Sequence, residues 1–421
     1  MVVFTASIAA LQVLAGLGGI AAISRRATSP SQSAIAASRA SAARARAAKP
    51  APSSDAASQS IVTSISAFVS KARNLPFAAA VPSVFLDDAA FEAQLRAGAD
   101  GDAPKLTEAQ ATSAAAIRVG FLSAIGYVNG GYDPRSAAAS ATRTSHVLGF
   151  YDPKAHRLFV RGQPKSPGAR VTLAHELTHA LQDQSFGLDR PELESRDDQS
   201  SFGLRALAEG DARRVEKLYL ATLSPAEQAE AERSSTADAP ALAAGTDPAT
   251  QGLALELLQE APYIFGEELV RALLSAGGQP ILDAAFADPP RSSEQVLHAD
   301  KLLTRDGGRA VGTPSAQGAT IDDGAFGELA LAAMLGGAIG FDAARHAIAG
   351  WGGDHYAAWK SGANVCVRVA VRMDDPRLNQ KVATAFTAFA AWHGNATANT
   401  GGTPGVTTCG ASAHPSHLLD H

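Results

Sequence analysis

Residues 175–179 read His-Glu-Leu-Thr-His. Side chains four apart on a helix stack on one face, so His175 and His179 can aim two imidazoles at a single ion. Glu176, one residue along, can reach water bound to that ion. Two neutral nitrogens holding Zn²⁺, with a carboxylate to take the proton from metal-bound water, is the chemistry of zinc hydrolases. Five residues make a short pattern that also arises by chance, so the surroundings must decide.

Those surroundings favour chemistry. The stretch Ser166 to Gln184 opens with a serine suited to N-capping and a proline at the first helical position. Val171, Ala174, Leu177, Ala180 and Leu181 recur at three- and four-residue steps, and the two histidines flank this apolar stripe. The competing reading is a helix whose histidines are merely half-buried. A catalytic zinc site takes three protein ligands, and the ALQDQSFGL that follows the motif holds no further histidine. A second amphipathic helix is expected over Ser200 to Leu220, with Leu204, Leu207, Val215 and Leu218 on one side. Within it, Ala-Leu-Ala-Glu-Gly-Asp-Ala sets Glu209 among small residues that permit close helix approach. Glu209 is therefore the expected third ligand. Glu194, Asp211 and Glu216 lie in a polar loop or in more charged surroundings. A salt bridge from Glu209 to Arg213, one turn on, is the alternative.

HELTHALQDQ followed by ALAEGDA resembles the gluzincin metallopeptidases, which join an HExxH helix to a glutamate on a following helix. More narrowly, the chain is similar to an uncharacterised bacterial family of secreted or membrane-anchored, peptidase-like proteins. GFYDPKAHRLFVRG, PYIFGEELVRALLSAGG, DPPRSSEQVLHADK and WGGDHYAAW also fit that family, so the resemblance runs over about residues 62 to 393. It implies a zincin-like core, a Zn²⁺ cofactor, a peptide or protein substrate, and His175, His179 and Glu209 as the metal ligands. One departure concerns the outer shell. Thermolysin-type gluzincins carry an aspartate four residues after the glutamate, where this chain has Arg213; Asp211 comes two residues after.

Asp183 or Asp211 could orient the ligand histidines by accepting their second ring N–H. In WGGDHYAAW, Gly352 and Gly353 would allow a tight turn that brings Asp354, His355 or Tyr356 into a cleft. His355 and Tyr356 suit donation to a developing oxyanion. A helix-capping Asp354 followed by packing aromatics is equally compatible. Val147 to Tyr151 and Arg157 to Arg161 read as a hairpin around an Asp-Pro-Lys turn. Its edge could clamp an extended peptide by strand addition, or the hairpin could simply support the metal helix.

The elements that must position these groups are mostly helical. Helices are expected near 60–73, 87–97, 107–127, 167–184, 200–222, 224–233, 251–276, 324–338, 341–349 and 377–393. Gly362 to Met373, with valines at 365, 367, 369 and 371, alternates as a strand. Ser234 to Thr250 is a polar interruption between two lobes, about 60–233 and 251–395. Val2 to Ile23 is uncharged and long enough to span a membrane, and the Ala/Ser-rich residues 24–59 read as a linker. Residues 1–23 are accordingly expected to act as a cleaved signal or a membrane anchor, placing the folded part outside the cytoplasm. Residues 396–421 read as a flexible tail. Net charge is −5 with no basic cluster in the folded region, which disfavours nucleic-acid binding. Two cysteines, Cys366 and Cys409, can form at most one disulfide, tying the tail to the last strand in an oxidising compartment.

The sequence thus predicts an α+β, predominantly helical protein acting as a zinc metallopeptidase, with Glu176 as general base. A non-catalytic exported binding module with a structural or vestigial zinc site is the alternative. Retention of Glu176 argues against it, because a structural site needs no base.

Overall fold

The computed structural model describes residues 56–100, 107–128, 132, 147–194, 198–236 and 253–411. The expected signal or anchor at Val2–Ile23, almost all of the linker, most of the polar interruption and the histidines at 414, 417 and 421 lie outside the described residues. No helix among the described residues is long and apolar enough to cross a membrane.

The fold is α+β and mostly helical, with two small sheets. Helix α1 (Ala56–Arg73) leads into strand β1 (Ser83–Leu86), then α2 (Asp88–Asp100) and α3 (Glu108–Ala124). A hairpin of β2 (Gly149–Asp152) and β3 (Arg157–Arg161) precedes the motif helix α4 (Pro167–Phe186). Next come α5 (Asp198–Leu220), which carries Glu209, and α6 (Pro225–Thr236). Helices α7 (Leu253–Gly277) and α8 (Gln279–Ala287) follow, then short turns at Ser293–Leu297 and Ala299–Leu303. The last part holds β4 (Thr320–Gly324), α9 (Gly327–Ile339), α10 (Phe341–Ile348), β5 (Trp351–Ser361) and β6 (Asn364–Met373). Helix α11 (Asn379–His393) and strands β7 (Ala396–Asn399) and β8 (Gly405–Ala411) close it.

The first sheet has the order β1-β3-β2, with β1 parallel and β2 antiparallel to β3. It packs with α1 on the motif helix, where Val69, Tyr151, Leu158, Leu173, Leu177 and Val215 share one core. The second sheet is antiparallel throughout, in the order β4-β5-β6-β8-β7. Helices α3, α9, α10 and α11 share its core: Leu122, Leu335, Ile348 and Phe386 meet Val367 and Val371 there.

Several expectations are corrected. The motif helix has no polar face: Pro167 to Asp183 are buried except Arg170, so its histidines are enclosed and not half-exposed. Leu218 is exposed and does not join the apolar side of α5. The two lobes are interleaved. Helix α3 from the first packs into the core of the second sheet, and α7 from the second packs against α5. The tail beyond 395 supplies β7 and β8, because β6 needs a partner on its far side; Cys366 faces Cys409 in that register and the two are disulfide-bonded. WGGDHYAAW forms β5 instead of a cleft-directed turn. Its glycines admit the backbone of a neighbouring segment: the Arg309 N–H donates to the Gly352 carbonyl at 2.6 Å, and a Cβ on Gly353 would collide with Arg309.

One close approach governs the helices beside the motif. A Cβ on Gly210 of α5 would run into the backbone of Gly266 on α7, and a Cβ on Gly266 into that of Ala206. In an exposed helix interior, glycine to alanine stabilises by about 1 kcal/mol. Here the sign should reverse. Gly210→Ala and Gly266→Ala are each expected to destabilise by about 1–3 kcal/mol, as overpacking does. Gly312→Ala, with open space around it, should change stability by less than about 0.5 kcal/mol. Thermal melts of the three variants decide whether this contact is as tight as described.

Candidate metal centre

His175 and His179 lie one turn apart on α4, and Glu209 reaches them from α5. The N-cap of α4 is as expected, with the Ala169 amide donating to the Ser166 hydroxyl. The facing atoms form a small triangle. His175 Nε2 and His179 Nε2 are 3.0 Å apart, and Glu209 Oε2 lies 3.2 Å from the first and 3.3 Å from the second. All three side chains are buried, and this is a group whose ligand atoms could hold one metal ion. Zinc bonds of about 2.0–2.1 Å in a tetrahedron have edges of about 3.3–3.4 Å, so the donor spacing fits.

The outer partners settle which nitrogens face inward. His175 Nδ1 lies 3.0 Å from Glu216 Oε2, and a carboxylate there takes the ring N–H. His179 Nδ1 lies 3.0 Å from Gln182 Oε1. The Gln182 amide cannot turn over, because its nitrogen donates to the Ala208 carbonyl at 3.1 Å and to Asp211 Oδ2 at 3.0 Å. Both imidazoles therefore carry hydrogen on Nδ1, and both Nε2 lone pairs point at the Glu209 carboxylate. Three electron-rich atoms this close repel one another unless a positive charge sits among them.

A proton can partly fill that need. Burial opposes a charge on His175, but its hydrogen bonds with Glu209 and Glu216 overcome this and raise it to about 10. Burial likewise opposes ionisation of Glu209, yet the neighbouring histidines hold its carboxyl down at about 2. A divalent cation would serve the same three atoms better. Displacing protons from such ligands is the usual accompaniment of metal binding.

Glu176 is fully buried beside this triangle. Its Oε2 accepts the Tyr151 amide of β2 at 2.9 Å, while Oε1 has no hydrogen-bond partner. Burial pushes its carboxyl up to about 7, against the lowering pull of His175 and His179. The Arg161 amide donates to the Leu148 carbonyl, so the ladder bonds of the hairpin fall on even residues of β2. The amide of Tyr151 consequently points away from the sheet and onto Glu176. The hairpin is thus a support for the motif helix, although β2 remains the outer strand of its sheet.

The remaining expected residues fall elsewhere. Asp183 turns from His179 and accepts from the Tyr151 hydroxyl at 2.8 Å and from His156 Nδ1 at 2.7 Å. Asp211 acts on the centre only through Gln182. His355 and Tyr356 are not drawn into the group. On β5, His355 meets Thr313 and Asp323, while the Tyr356 hydroxyl donates to Asp322 and its ring packs on Phe121 and Phe326. Asp354 is buried and accepts from the Phe326 and Gly327 amides and from Trp351 Nε1. His355 and Tyr356, expected as oxyanion donors, are instead engaged with Thr313 and the acids of β4.

A different tyrosine stands near the acids. Tyr263, on α7 one turn before Gly266, is within electrostatic reach of Glu209 and Glu176. Burial first, then those carboxylates, push its hydroxyl well above the ordinary tyrosine range, so it stays a donor. Glu216, Gln182 and Tyr263 were not assigned these roles by spacing: Glu216 is seven residues after Glu209, and Tyr263 reaches the site only through tertiary packing.

A domain of unknown function, DUF8575, matches residues 316–413. That stretch spans β4 to β8 with α9, α10 and α11, and it excludes the metal group. No curated protein and no solved structure matches the chain.

Zinc titrated into metal-free protein is expected to bind at about one ion per chain, to be stripped by chelator, and to raise Tm. His175→Ala, His179→Ala and Glu209→Ala should each remove that rise, and Glu194→Ala should keep it. A Glu209→Ala protein with full zinc affinity, beside an Asp211→Ala or Glu194→Ala protein without it, would show that the third ligand is misassigned.

Proposed function

We propose that this chain is a zinc-dependent metallopeptidase with a zincin-type core. The observation that carries the reading is the buried triangle of inward-facing lone pairs beside a buried glutamate with one unpartnered oxygen. His175, His179 and Glu209 would hold the ion, an N₂O ligand set that suits zinc and leaves a fourth position for water. When bound, zinc polarises a carbonyl and acidifies its water. A structural zinc site is closed by four protein ligands, so an adjacent base would have no work in it.

The chain's own residues supply the rest. Glu176 takes the proton through its free Oε1, while the Tyr151 amide fixes Oε2 and thereby the plane of the carboxylate. A base with a pKa near the working pH combines the right protonation state with useful driving force. Tyr263, kept protonated, is the candidate donor to oxygen charge that develops during attack. Beside Glu176, Gly149 supplies backbone without a side chain on the outer strand, where a Cβ would meet the Phe159 carbonyl at 3.2 Å and Glu176 Cγ at 3.9 Å. An extended peptide is the substrate class that exploits such an edge. The Cys366–Cys409 disulfide supports an extracytoplasmic setting.

Glu176→Gln should keep zinc content near that of the wild type while peptide hydrolysis falls ~10²–10⁴-fold, the usual worth of general-base catalysis. Digestion of a peptide library with and without chelator, read by mass spectrometry, is the measurement. Equal residual cleavage by wild type and variant would sink the enzymatic reading. Tyr263→Phe should lower kcat by ~10²–10³-fold with KM little changed, as loss of one oxyanion donor does. A change confined to KM would instead make Tyr263 a binding group.

A further inference from the structure

The guanidinium of Arg73 ends helix α1, more than a hundred residues before the motif, and it is completely enclosed. Its Nε lies 2.6 Å from Asp211 Oδ2, its other nitrogens reach Asp283 at 2.9 Å and Gln279, and both Arg73 and Asp211 are inaccessible to solvent. Asp211 also receives Arg214 at 2.9 Å and the Gln182 amide at 3.0 Å. Gln182 in turn accepts from His179 Nδ1.

Each link constrains the next. A glutamine amide is ambiguous on its own, because its oxygen and nitrogen can exchange places with little change of shape. The Ala208 carbonyl and Asp211, itself clamped between Arg73 and Arg214, both accept from the Gln182 nitrogen, so only the donor end of that amide can face them. The acceptor end must then face His179, and an acceptor at Nδ1 selects the Nδ1–H tautomer. Only that tautomer leaves Nε2 free to bind a cation. The corresponding partner of His175 is a carboxylate, which needs no such help, since both of its oxygens accept.

We propose that Arg73, Asp211 and Gln182 form a positioning relay that sets the tautomer and ring orientation of His179, so that helix α1 controls metal affinity from a distance. This rests on the metal reading above, and it assigns to Arg73 a role that its place in the sequence does not suggest. The relay predicts a specific dependence. Removing Gln182 should disconnect Arg73 and Asp211 from the metal group, so that their effects on metal binding disappear in its absence.

The test uses the full chain and zinc, in a double-mutant cycle. Gln182→Met should weaken zinc affinity about 10–100-fold, the range found for lost outer-shell partners. Arg73→Met and Asp211→Asn should each weaken it about 10-fold in the wild-type background and leave it unchanged in the Gln182→Met background. Asp211→Asn keeps shape and volume, and so supplies the answer if Arg73→Met does not fold; melts of every variant identify those that do. In metal-free protein, nitrogen-15 shifts of His179 should report the Nδ1–H form in wild type and a mixed population in Gln182→Met. Effects of Arg73→Met and Asp211→Asn that persist at full size without Gln182 would overturn the relay and make these residues ordinary scaffold. Zinc bound equally tightly by wild type and Gln182→Met would also overturn it while leaving the metal reading intact. Failure of wild type to bind zinc would instead overturn the proposed function and the relay's purpose together.

Discussion

Two imidazole nitrogens and one carboxylate face one another inside the protein, and the contact is favourable only with positive charge among them, as a proton on His175 or as a cation. Burying an ionised carboxylate costs several kcal/mol unless it is paired. Placing His175, His179 and Glu209 within 3.3 Å of each other therefore commits the fold to supplying positive charge. The surrounding structure follows from that commitment. Glu216 and Gln182 take the outward ring N–H groups, which stops either ring from turning its lone pair away. Asp211 holds Gln182, and Arg73 and Arg214 hold Asp211. The compensating charges come from α1 and α5, so the motif helix is locked to both neighbours by electrostatics as well as by its apolar core.

That arrangement explains which parts of the molecule were legible in the sequence. His175, Glu176 and His179 are local: one helical turn fixes their relation, and any helix over 167–184 would bring them together. Glu209 stood out because a catalytic zinc site takes a third ligand from another element, and its surroundings in the next helix are small and less charged than those of Asp211 or Glu216. The reason offered was incomplete, however. Gly210, beside Glu209, accommodates the backbone of α7 and not that of α4. Gln182 carried no signal at all. Its orientation lies in which end of an amide faces which neighbour, and that is fixed by the Ala208 carbonyl and by Asp211 on α5, the latter held by Arg73 of α1.

The errors share a physical cause. WGGDHYAAW contains a glycine pair, and glycine marks close backbone approach as readily as a turn. Here the approaching backbone is that of Arg309, and the polar residues that follow serve the second sheet. Asp354 caps the entry of α9, and His355 and Tyr356 pair with the acids of β4. The Gly/Thr-rich stretch after 395 looked too polar to fold. Its strands bury little on their own and are held by pairing to β6 and by the Cys366–Cys409 link. Non-local pairing of this kind leaves no periodic trace in a single sequence.

The division of labour between the halves bears on how a buried centre could meet a substrate. DUF8575 covers the second sheet and its helices, and none of the three metal-facing residues lies within it. The link between the halves runs through α7, which packs on α5 at Gly210 and Gly266 and brings Tyr263 toward Glu176 and Glu209. Ile264, the next residue, is largely exposed. Tyr263 and Ile264 are thus neighbours on α7, the first within electrostatic reach of the buried acids and the second exposed. A rigid crossing at two glycines is well suited to this task, because backbone contact leaves little freedom for α7 to slide along α5. Glu176 is tied to β2 directly, since the Tyr151 amide donates to its carboxylate.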